Sequence, residues 1–317
     1  MGEHTNFLLQ HNMEEYKKHH FIPECYLTNF TENGKAIWVY NKKDSKTFQQ
    51  SISNIFYQKD FYRIEEKDIP DTLKEEVNPL SLEKDYFADE IESKYNDFLK
   101  SLIPKVDELI KKGVRNVLMP EEDIHAIALF LVFQFLRTPK AREEIVYLHN
   151  DTMQQIVAEL DEIRPQNDFT RAMKLQAERE AAVNYPPVFL HASRTFANEQ
   201  VVKKFTEDLL NNYWQIYVSP GSYFYSSDNP VIIERTAPNT ELIDMGLNSY
   251  GVVVTFPLTK KILIRVFERE AFFMLKQIDR QIVPVDNDFV ISENQKCCLC
   301  ADQFVVSPIN NFATIIQ

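Results

Sequence analysis

The chain has 317 residues, of which 44% are apolar and 12% aromatic, and only 6 are glycine. These values are typical of a globular protein with a sizeable core and exclude a glycine-rich or largely disordered architecture. The formal net charge of −12 at pH 7 disfavours a protein that coats nucleic acid by neutralising phosphates, because that binding requires a basic surface.

The first ten residues lack the charged and apolar regions of a signal peptide, and no apolar run reaches the ~20 residues of a membrane span. We therefore expect a cytoplasmic protein that does not associate with membranes. The cysteines are Cys25, Cys297, Cys298 and Cys300. They lack the paired spacing of a zinc site, so buried reduced thiols are expected.

The amino-terminal part, residues 19–66, is predicted to form a small aromatic β unit behind a flexible extension, residues 1–18. The first twenty residues are polar and are expected to be frayed. Turn residues and β-branched or aromatic runs then predict four segments. These are a short helix at Pro23 that buries Tyr26, Leu27 and Phe30, a strand over 36–40, a partner strand over 47–51, and an aromatic segment over 54–62.

A helical body is predicted over residues 80–212, after a polar connector over 68–78. Apolar residues recur there at helical intervals, and Pro139 is expected to bend or divide the longest helix. The predicted helices are one marked by Phe87, Ile91, Tyr95, Phe98 and Leu102, one from 121 to 150 that is buried in its first half, a solvent-facing helix or pair over 151–180, and one over 198–212.

The remaining residues, 213–317, are predicted to be rich in strands. Apolar and aromatic runs between turn residues predict one antiparallel meander packed on the helices. Its strands cover 214–218, 223–226, 231–233, 252–256 and 262–266. The predicted fold is therefore α+β, with one elaborated domain over residues 19–317.

Three polar islands interrupt apolar sequence. They are His19-His20, the pair Gln134 and Arg137, and Ser227-Asp228-Asn229. A polar group buried without a partner is costly, so each island must find hydrogen-bond partners. Gln134 and Arg137 share a helix face and are suited to hold a carboxylate or a phosphate.

The islands lie within three motifs whose order resembles that of a bacterial family catalogued as domain of unknown function 4238. The motifs are His19-His20-Phe21-Ile22-Pro23-x-x-Tyr26-Leu27-x-x-Phe30, Phe133-Gln134-x-x-Arg137-Thr138-Pro139, and Phe224-x-Ser226-Ser227-Asp228-Asn229-Pro230-Val231. The similarity extends to 37–40, 60–62, Glu83 with Glu92, and 255–258. The resemblance implies no assigned activity, and it associates the chain with accessory or mobile-element proteins, phage defence or toxic effectors.

The first functional hypothesis is a metal-assisted hydrolase of nucleic acid or nucleotides. The enzyme is a nuclease if the bond that it hydrolyses is a phosphodiester. Imidazole and carboxylate groups bind divalent metals or act as bases, and arginine stabilises charge on a phosphate. The proposed catalytic residues are His19, His20, Gln134, Arg137, Asp228 and Asn229. The proposed ligands for Mg²⁺ or Mn²⁺ are His20, Glu83 and Asp228.

The same islands also have a purely structural interpretation. His19 is then expected to cap a helix, and Asp228-Asn229-Pro230 to form an Asx turn. Gln134 and Arg137 tie their helix to the sheet in this interpretation.

Two other functions stay open. Arg142 and His149 resemble the Arg-x4-6-His signature of the HEPN ribonucleases, which cleave RNA without metal as dimers. Alternatively, the chain is a non-enzymatic sensor or scaffold that binds a nucleotide, a peptide or a phage protein. The absence of a P-loop, a glycine-rich dinucleotide turn, His-Glu-x-x-His and Gly-x-Ser-x-Gly favours this last hypothesis.

Overall fold

A computed structural model describes residues 18–64, 91–113, 117–162, 167–196, 199–235 and 246–315. The strands are β1 Lys18–His20, β2 Ala36–Asn41, β3 Lys46–Ser51, β4 Tyr57–Lys59, β5 Val117–Leu118, β6 Tyr213–Val218, β7 Ser226–Ser227, β8 Ile232–Arg235, β9 Val252–Thr259, β10 Ile262–Phe267, β11 Gln281–Pro284 and β12 Phe304–Ser307. The helices are α1 Glu24–Leu27, α2 Ser93–Lys112, α3 Glu121–Leu136, α4 Pro139–Glu162, α5 Asp168–Ala181, α6 Pro187–His191, α7 Glu199–Leu210 and α8 Asn287–Cys300. The predicted α+β class is confirmed, and no helix in these ranges is long and apolar enough to cross a membrane.

The strands form three sheets, with orders β5-β11-β6-β10-β9-β8, β3-β2-β12-β7 and β1-β4. The expected antiparallel meander is present as β8-β9-β10. It is not the whole sheet, because Ser226–Ser227 pairs with β12 in the second sheet and β11 lies parallel to β6. Sequence analysis missed these two pairings because they join segments that are far apart in the chain, whereas consecutive strands usually neighbour one another.

The large sheet has two chemically different faces. Side chains such as Ile216 and Phe256 on one face belong to the main hydrophobic cluster, which also contains most of the buried residues of α3. On the other face, Gln215, Arg265 and Thr255 are cross-strand neighbours and form one row. Alternation along each strand therefore separates an apolar face from a partly polar one.

The amino-terminal prediction is correct for the described residues except at its start. Lys18–His20 is not frayed but forms a strand that pairs with β4, before the predicted helix. Residues 1–17 and the connector 68–78 lie outside the described residues. The short helix at Pro23 and the hairpin of β2 with β3 are confirmed.

The helices of the body are also confirmed where the structure describes them. The helix predicted from Ile91 onwards continues as α2, and Phe87 lies outside the described ranges. Pro139 divides the long helix, because α3 ends at Leu136 and α4 begins at Pro139. Thr138 caps α4, since its Oγ1 accepts a hydrogen bond from the Ala141 N–H at 3.2 Å.

The solvent-facing helices are α4 and α5, which we call the helical hairpin. From residue 142 to residue 188, no described side chain is buried. The four cysteines are free thiols, with Cys297 and Cys298 buried in α8.

Candidate functional site

The first and second motifs meet through main-chain carbonyl groups. The Arg137 Nη2 donates to the His20 carbonyl at 2.5 Å. The Gln134 Nε2 donates to the Phe21 carbonyl at 3.2 Å. These bonds attach the C-terminal end of α3 to the last residue of β1 and to the residue after it. The helix is therefore tied to the small β1-β4 sheet rather than to the predicted antiparallel meander.

The first and third motifs meet at Tyr26. Its buried hydroxyl donates to the Pro257 carbonyl at 2.7 Å and lies 2.8 Å from the Ser226 Oγ. Because a phenol has one proton, the Ser226 hydroxyl donates the second bond. The three motifs therefore converge, as their shared polarity suggested, and they do so around α1.

His19 is buried within this convergence. Its Nδ1 accepts a hydrogen bond from the Tyr62 N–H at 2.8 Å, and Tyr62 donates from its hydroxyl to the Arg137 carbonyl at 2.6 Å. His19 therefore does not cap a helix, and the α1 N-terminus has no side-chain cap. The hydrogen bond that His19 accepts from Tyr62 holds the chain after β4 in place. It does not position a reacting group.

His20 is half-buried and uncharged at neutral pH. Burial, followed by the positive charge of Arg137, lowers the pKa of His20 to about 4. Its Nε2 lies 3.6 Å from a Glu24 carboxylate oxygen and has no hydrogen-bond partner among the described residues. The imidazole can accept a proton or a hydrogen bond, but this nitrogen is closed to solvent.

Arg137 is 1% exposed and pairs with Glu92 at 2.9 Å. The carboxylate of Glu92 neutralises the guanidinium within the protein. Burial, with the charge of Glu92 as the second cause, raises the pKa of the Cys25 thiol to about 12, so Cys25 is not a thiolate nucleophile. Arg137 is therefore committed to the protein's own groups.

Asp228 and Asn229 belong to a different part of the convergence. The Asp228 carboxylate accepts hydrogen bonds from the backbone N–H groups of residues 302–304 at 2.7 to 2.9 Å. Burial raises the pKa of Asp228, although these hydrogen bonds oppose the shift. The Ser227 hydroxyl accepts from the Asn229 N–H at 3.1 Å, which closes the turn between the strands.

The structure does not assemble the predicted metal site among the residues it describes. Glu83 lies outside them, and in the described ranges no group of three His, Cys, Asp or Glu side chains is placed to hold a metal ion. The carboxylate of Asp228 accepts hydrogen bonds from backbone N–H groups at the start of β12. The imidazole of His20 lies next to the carboxylate of Glu24. The metal hypothesis has no further support from this geometry.

The predicted ribonuclease pair, Arg142 and His149, has separate contacts. Arg142 donates from Nε to the His191 Nδ1 at 3.2 Å and from Nη2 to the Phe61 carbonyl at 2.7 Å. Burial lowers the pKa of Arg142 to about 10, which leaves it charged. His149 packs edge-on against the ring of Tyr185.

A cleft opens where the second and third motifs meet. It has a volume of about 160 Å³, with Thr138, Lys140 and Glu144 on one wall and Asn229 and Cys300 on the other. Asn229 is 8% exposed, and its Nδ2 donates to the Cys300 carbonyl at 3.3 Å. Of the predicted site residues that the structure describes, only Asn229 lines this cleft.

Sequence analysis missed a group of four charged residues beside the cleft. Arg265 and Lys296 each contact the carboxylates of Glu234 and Glu293 at 3.0 to 3.9 Å. We call this group the charged quartet. A carboxylate oxygen of each glutamate and the Arg265 Nε are buried without a hydrogen-bond partner among the described residues.

The quartet adjoins the cleft at Cys300. Burial raises the pKa of the Cys300 thiol, and the charge of Glu234 acts in the same direction, so this cysteine is not a nucleophile at neutral pH. One signal was available in the sequence, because Arg265 interrupts the apolar strand Ile262-Leu263-Ile264-Arg265-Val266. Glu293 and Lys296, three residues apart, resemble an ordinary surface pair.

Comparison with known proteins agrees with the three motifs. No curated protein and no solved structure gives a significant match to the chain. The family model described as "Protein of unknown function (DUF4238)" matches residues 18–309. The chain therefore belongs to this family of proteins of unknown function.

Proposed function

We propose that the protein binds the anionic group of a small ligand in the cleft, as expected for the sensor or scaffold hypothesis. The cleft itself carries the proposal, because two of the three motifs contribute a polar residue to its walls, Thr138 and Asn229. Most of the other polar groups of the motifs bind the protein's own backbone. At the cleft, Thr138 and Asn229 border a cavity instead of packing entirely against protein.

Two residues of the cleft, Lys140 and Asn229, favour a phosphate or a carboxylate, whereas the Glu144 carboxylate on the Lys140 wall opposes one. Lys140 is the second residue of the 24-residue helix α4, so its charge adds to the positive end of the helix dipole. Asn229 offers an amide on the opposite wall. A volume of about 160 Å³ is below the ~300 Å³ of a typical drug-sized pocket, so the cleft holds a head group and leaves the rest of the ligand outside.

Isothermal titration calorimetry with inorganic phosphate, AMP and glutamate tests this proposal. We expect one of these probes to bind, and Lys140→Ala to weaken binding at least ~10-fold because an ionic partner is lost. Lys203→Ala is the control, since Lys203 lies on α7 with a 67% exposed side chain. If the wild type binds none of the probes, or if both variants bind equally, the cleft is not an anion site.

A hydrolase is the second candidate, and the charged quartet favours it. Two carboxylates held between an arginine and a lysine are suited to acid–base chemistry at the edge of a cleft. Hydrolysis of RNA, DNA and nucleotides should be assayed with Mg²⁺, with Mn²⁺ and with EDTA. Loss of turnover in Glu234→Gln but not in Glu159→Gln supports a catalytic quartet.

The same assay separates the earlier hypotheses. A metal-assisted enzyme that uses His20, Arg137 and Asp228 loses turnover in EDTA and in folded alanine variants of these residues. A HEPN-like ribonuclease keeps turnover in EDTA and loses it in Arg142→Ala and His149→Ala. Roles in phage defence or as a toxic effector stay predictions that infection and expression assays test.

A further inference from the structure

The cleft contains an acidic side chain that a purely anionic ligand leaves unexplained. Glu144 lies on the same wall as Lys140, and Asn229 lies on the opposite wall. A phosphate or a carboxylate that binds at Lys140 is therefore close to a like charge, which opposes its binding. A ligand that carries a positive group beside its negative group turns this repulsion into an attraction.

Lys140 and Glu144 have the spacing that a small zwitterion requires. They are four residues apart on α4, so their Cβ atoms lie about 5–6 Å apart on one face of the helix. A ligand between these side chains places its anionic group at the lysine and its cationic group at the glutamate. The ammonium and carboxylate groups of an amino acid are attached to one carbon atom, which suits this short separation.

The charges of Lys140 and Glu144 are not neutralised by the protein. Lysines elsewhere contact an acidic residue four positions later, as in the pairs Lys174 with Glu178 at 3.9 Å, Lys203 with Glu207 at 3.8 Å and Lys204 with Asp208 at 2.5 Å. Lys140 and Glu144 have the same order and spacing, yet neither side chain forms an ion pair or a hydrogen bond with a described residue. Both charges are therefore available to a ligand.

Asn229 offers hydrogen bonds of both kinds from the opposite wall. Its side-chain Nδ2 donates to the Cys300 carbonyl at 3.3 Å, and within the described ranges its Oδ1 accepts no hydrogen bond. The amide thus retains one N–H for a carboxylate and one oxygen for an ammonium group. Asn229 is only 8% exposed, and an amide that is nearly buried but incompletely bonded favours a bound polar group.

The remaining lining limits the size and the polarity of the ligand. Phe135, Val231 and Ile233 add apolar surface, and Phe135 and Ile233 are half-buried. A cavity of ~150 Å³ holds a molecule of about the size of benzene. The cleft, at about 160 Å³, therefore holds the charged head group of an amino acid but not a nucleotide.

We propose that the cleft binds a free α-amino acid with an aliphatic side chain. Lys140 binds its carboxylate, Glu144 binds its ammonium group, and Asn229 forms a hydrogen bond to each of these groups. The aliphatic side chain leaves the cleft past Phe135 and Ile233. This assignment rests on the proposed anion site and adds a cationic group to its ligand.

Isothermal titration calorimetry with leucine and with isocaproate, which is leucine without its ammonium group, tests the proposal. We expect leucine to bind at least ~10-fold more tightly than isocaproate, because only leucine pairs with Glu144. Glu144→Gln should weaken the binding of leucine by a similar factor and should not weaken that of isocaproate. Glu143→Gln is the matched control, since Glu143 is an exposed neighbour outside the lining of the cleft, and it should bind leucine as the wild type does.

Two kinds of failure are distinguishable, with thermal denaturation to verify that each variant is folded. If isocaproate or inorganic phosphate binds the wild type at least as tightly as leucine, the amino-acid assignment is wrong while the anion site stands. The same conclusion follows if Glu144→Gln and Glu143→Gln bind leucine equally. If leucine, isocaproate and inorganic phosphate all fail to bind the wild type, the anion site is wrong and the amino-acid assignment is wrong with it.

Discussion

The Arg137 guanidinium is removed from water, so protein groups alone stabilise its charge. Glu92 and the His20 carbonyl supply this stabilisation. A buried ion pair adds little net stability, but removal of one partner leaves the other uncompensated. Arg137 therefore matters for folding whether or not the protein has an enzymatic activity.

We expect Arg137→Met to lower the free energy of unfolding by about 3–5 kcal/mol, because Glu92 and the His20 carbonyl lose their partner. Urea denaturation measures this change. The control is Lys203→Met, whose side chain is 67% exposed and should change stability by less than ~0.5 kcal/mol. Equal stabilities of the two variants would contradict the role assigned to Arg137.

His191 links stability to pH. Burial, followed by the charge of Arg142, lowers the pKa of His191 to about 3 from 6.5. The unfolded chain therefore binds a proton at a higher pH than the folded chain, and stability present above pH 6.5 is lost as the pH falls towards the folded pKa. His20, with a pKa of about 4, acts in the same direction.

The melting temperature should accordingly decrease between pH 7 and pH 4.5. In His191→Gln the amide can still donate to the Leu136 carbonyl, which lies 2.6 Å from the His191 Nε2. This variant should be less stable at pH 7.5 and should show a shallower decrease at lower pH. Parallel pH profiles for variant and wild type would mean that His191 does not titrate on unfolding.

At the residue scale, the sequence predicted which polar groups need partners but not what those partners are. Gln134 and Arg137 were expected to bind a ligand together, yet their partners include main-chain carbonyls of residues 20 and 21. A carbonyl has no side-chain signature, so local sequence patterns cannot identify it as a partner. Asn229, which was predicted as a catalytic residue, lines the cleft, whereas Lys140 in the same cleft was not singled out.

Secondary-structure elements were predictable where their periodicity is local. The division of α3 from α4 follows from Pro139, and the β2 with β3 hairpin follows from its turn. The position of β7 did not follow, because its two residues are too few to carry a strand pattern. The charged quartet escaped prediction for a related reason, since β8, β10 and α8 come together only in the folded chain.

Asp228 acts at the scale of elements, because its carboxylate fixes the start of β12. Asp228→Asn keeps one acceptor oxygen and places an N–H group against backbone N–H groups. We expect a loss of about 1–3 kcal/mol in unfolding free energy. Hydrogen exchange should show reduced protection of residues 304–307, with little change in β10.

Asp302→Asn is the control for this prediction. It alters a neighbouring exposed carboxylate and leaves the three acceptor contacts of Asp228 in place. Unchanged protection of β12 in Asp228→Asn would show that strand pairing alone fixes this element.

The main hydrophobic cluster runs from Phe21 to Val306 and joins the amino-terminal unit, the helical body and the large sheet. Its continuity supports the prediction of one elaborated domain. Tyr26 adds a polar link, because its hydroxyl bonds the third motif and β9 at once. Parts that share a core in this way are expected to unfold together.

Calorimetry should therefore show a single thermal transition in which the van't Hoff and calorimetric enthalpies agree. Tyr26→Phe should lower the midpoint of this transition by several degrees without dividing it in two. Loss of the hydroxyl's hydrogen bonds should cost ~1–3 kcal/mol of unfolding free energy. In chains of about 150–250 residues, each kcal/mol shifts the midpoint by roughly 2–4 °C. Two separated transitions in the wild type would divide the chain into independent domains.

The position of β12 has a consequence for biosynthesis. This strand is among the last elements of the chain, yet it lies between β2 and β7 in the middle of its sheet, with Val305 and Val306 fully buried. The ribosome synthesises β2 some 260 residues before β12. The edge of β2 that pairs with β12 therefore stays unpaired until β12 has been synthesised. A translation product that stops before Phe304 therefore lacks the strand that joins β2 to β7, and both of these edges stay unpaired.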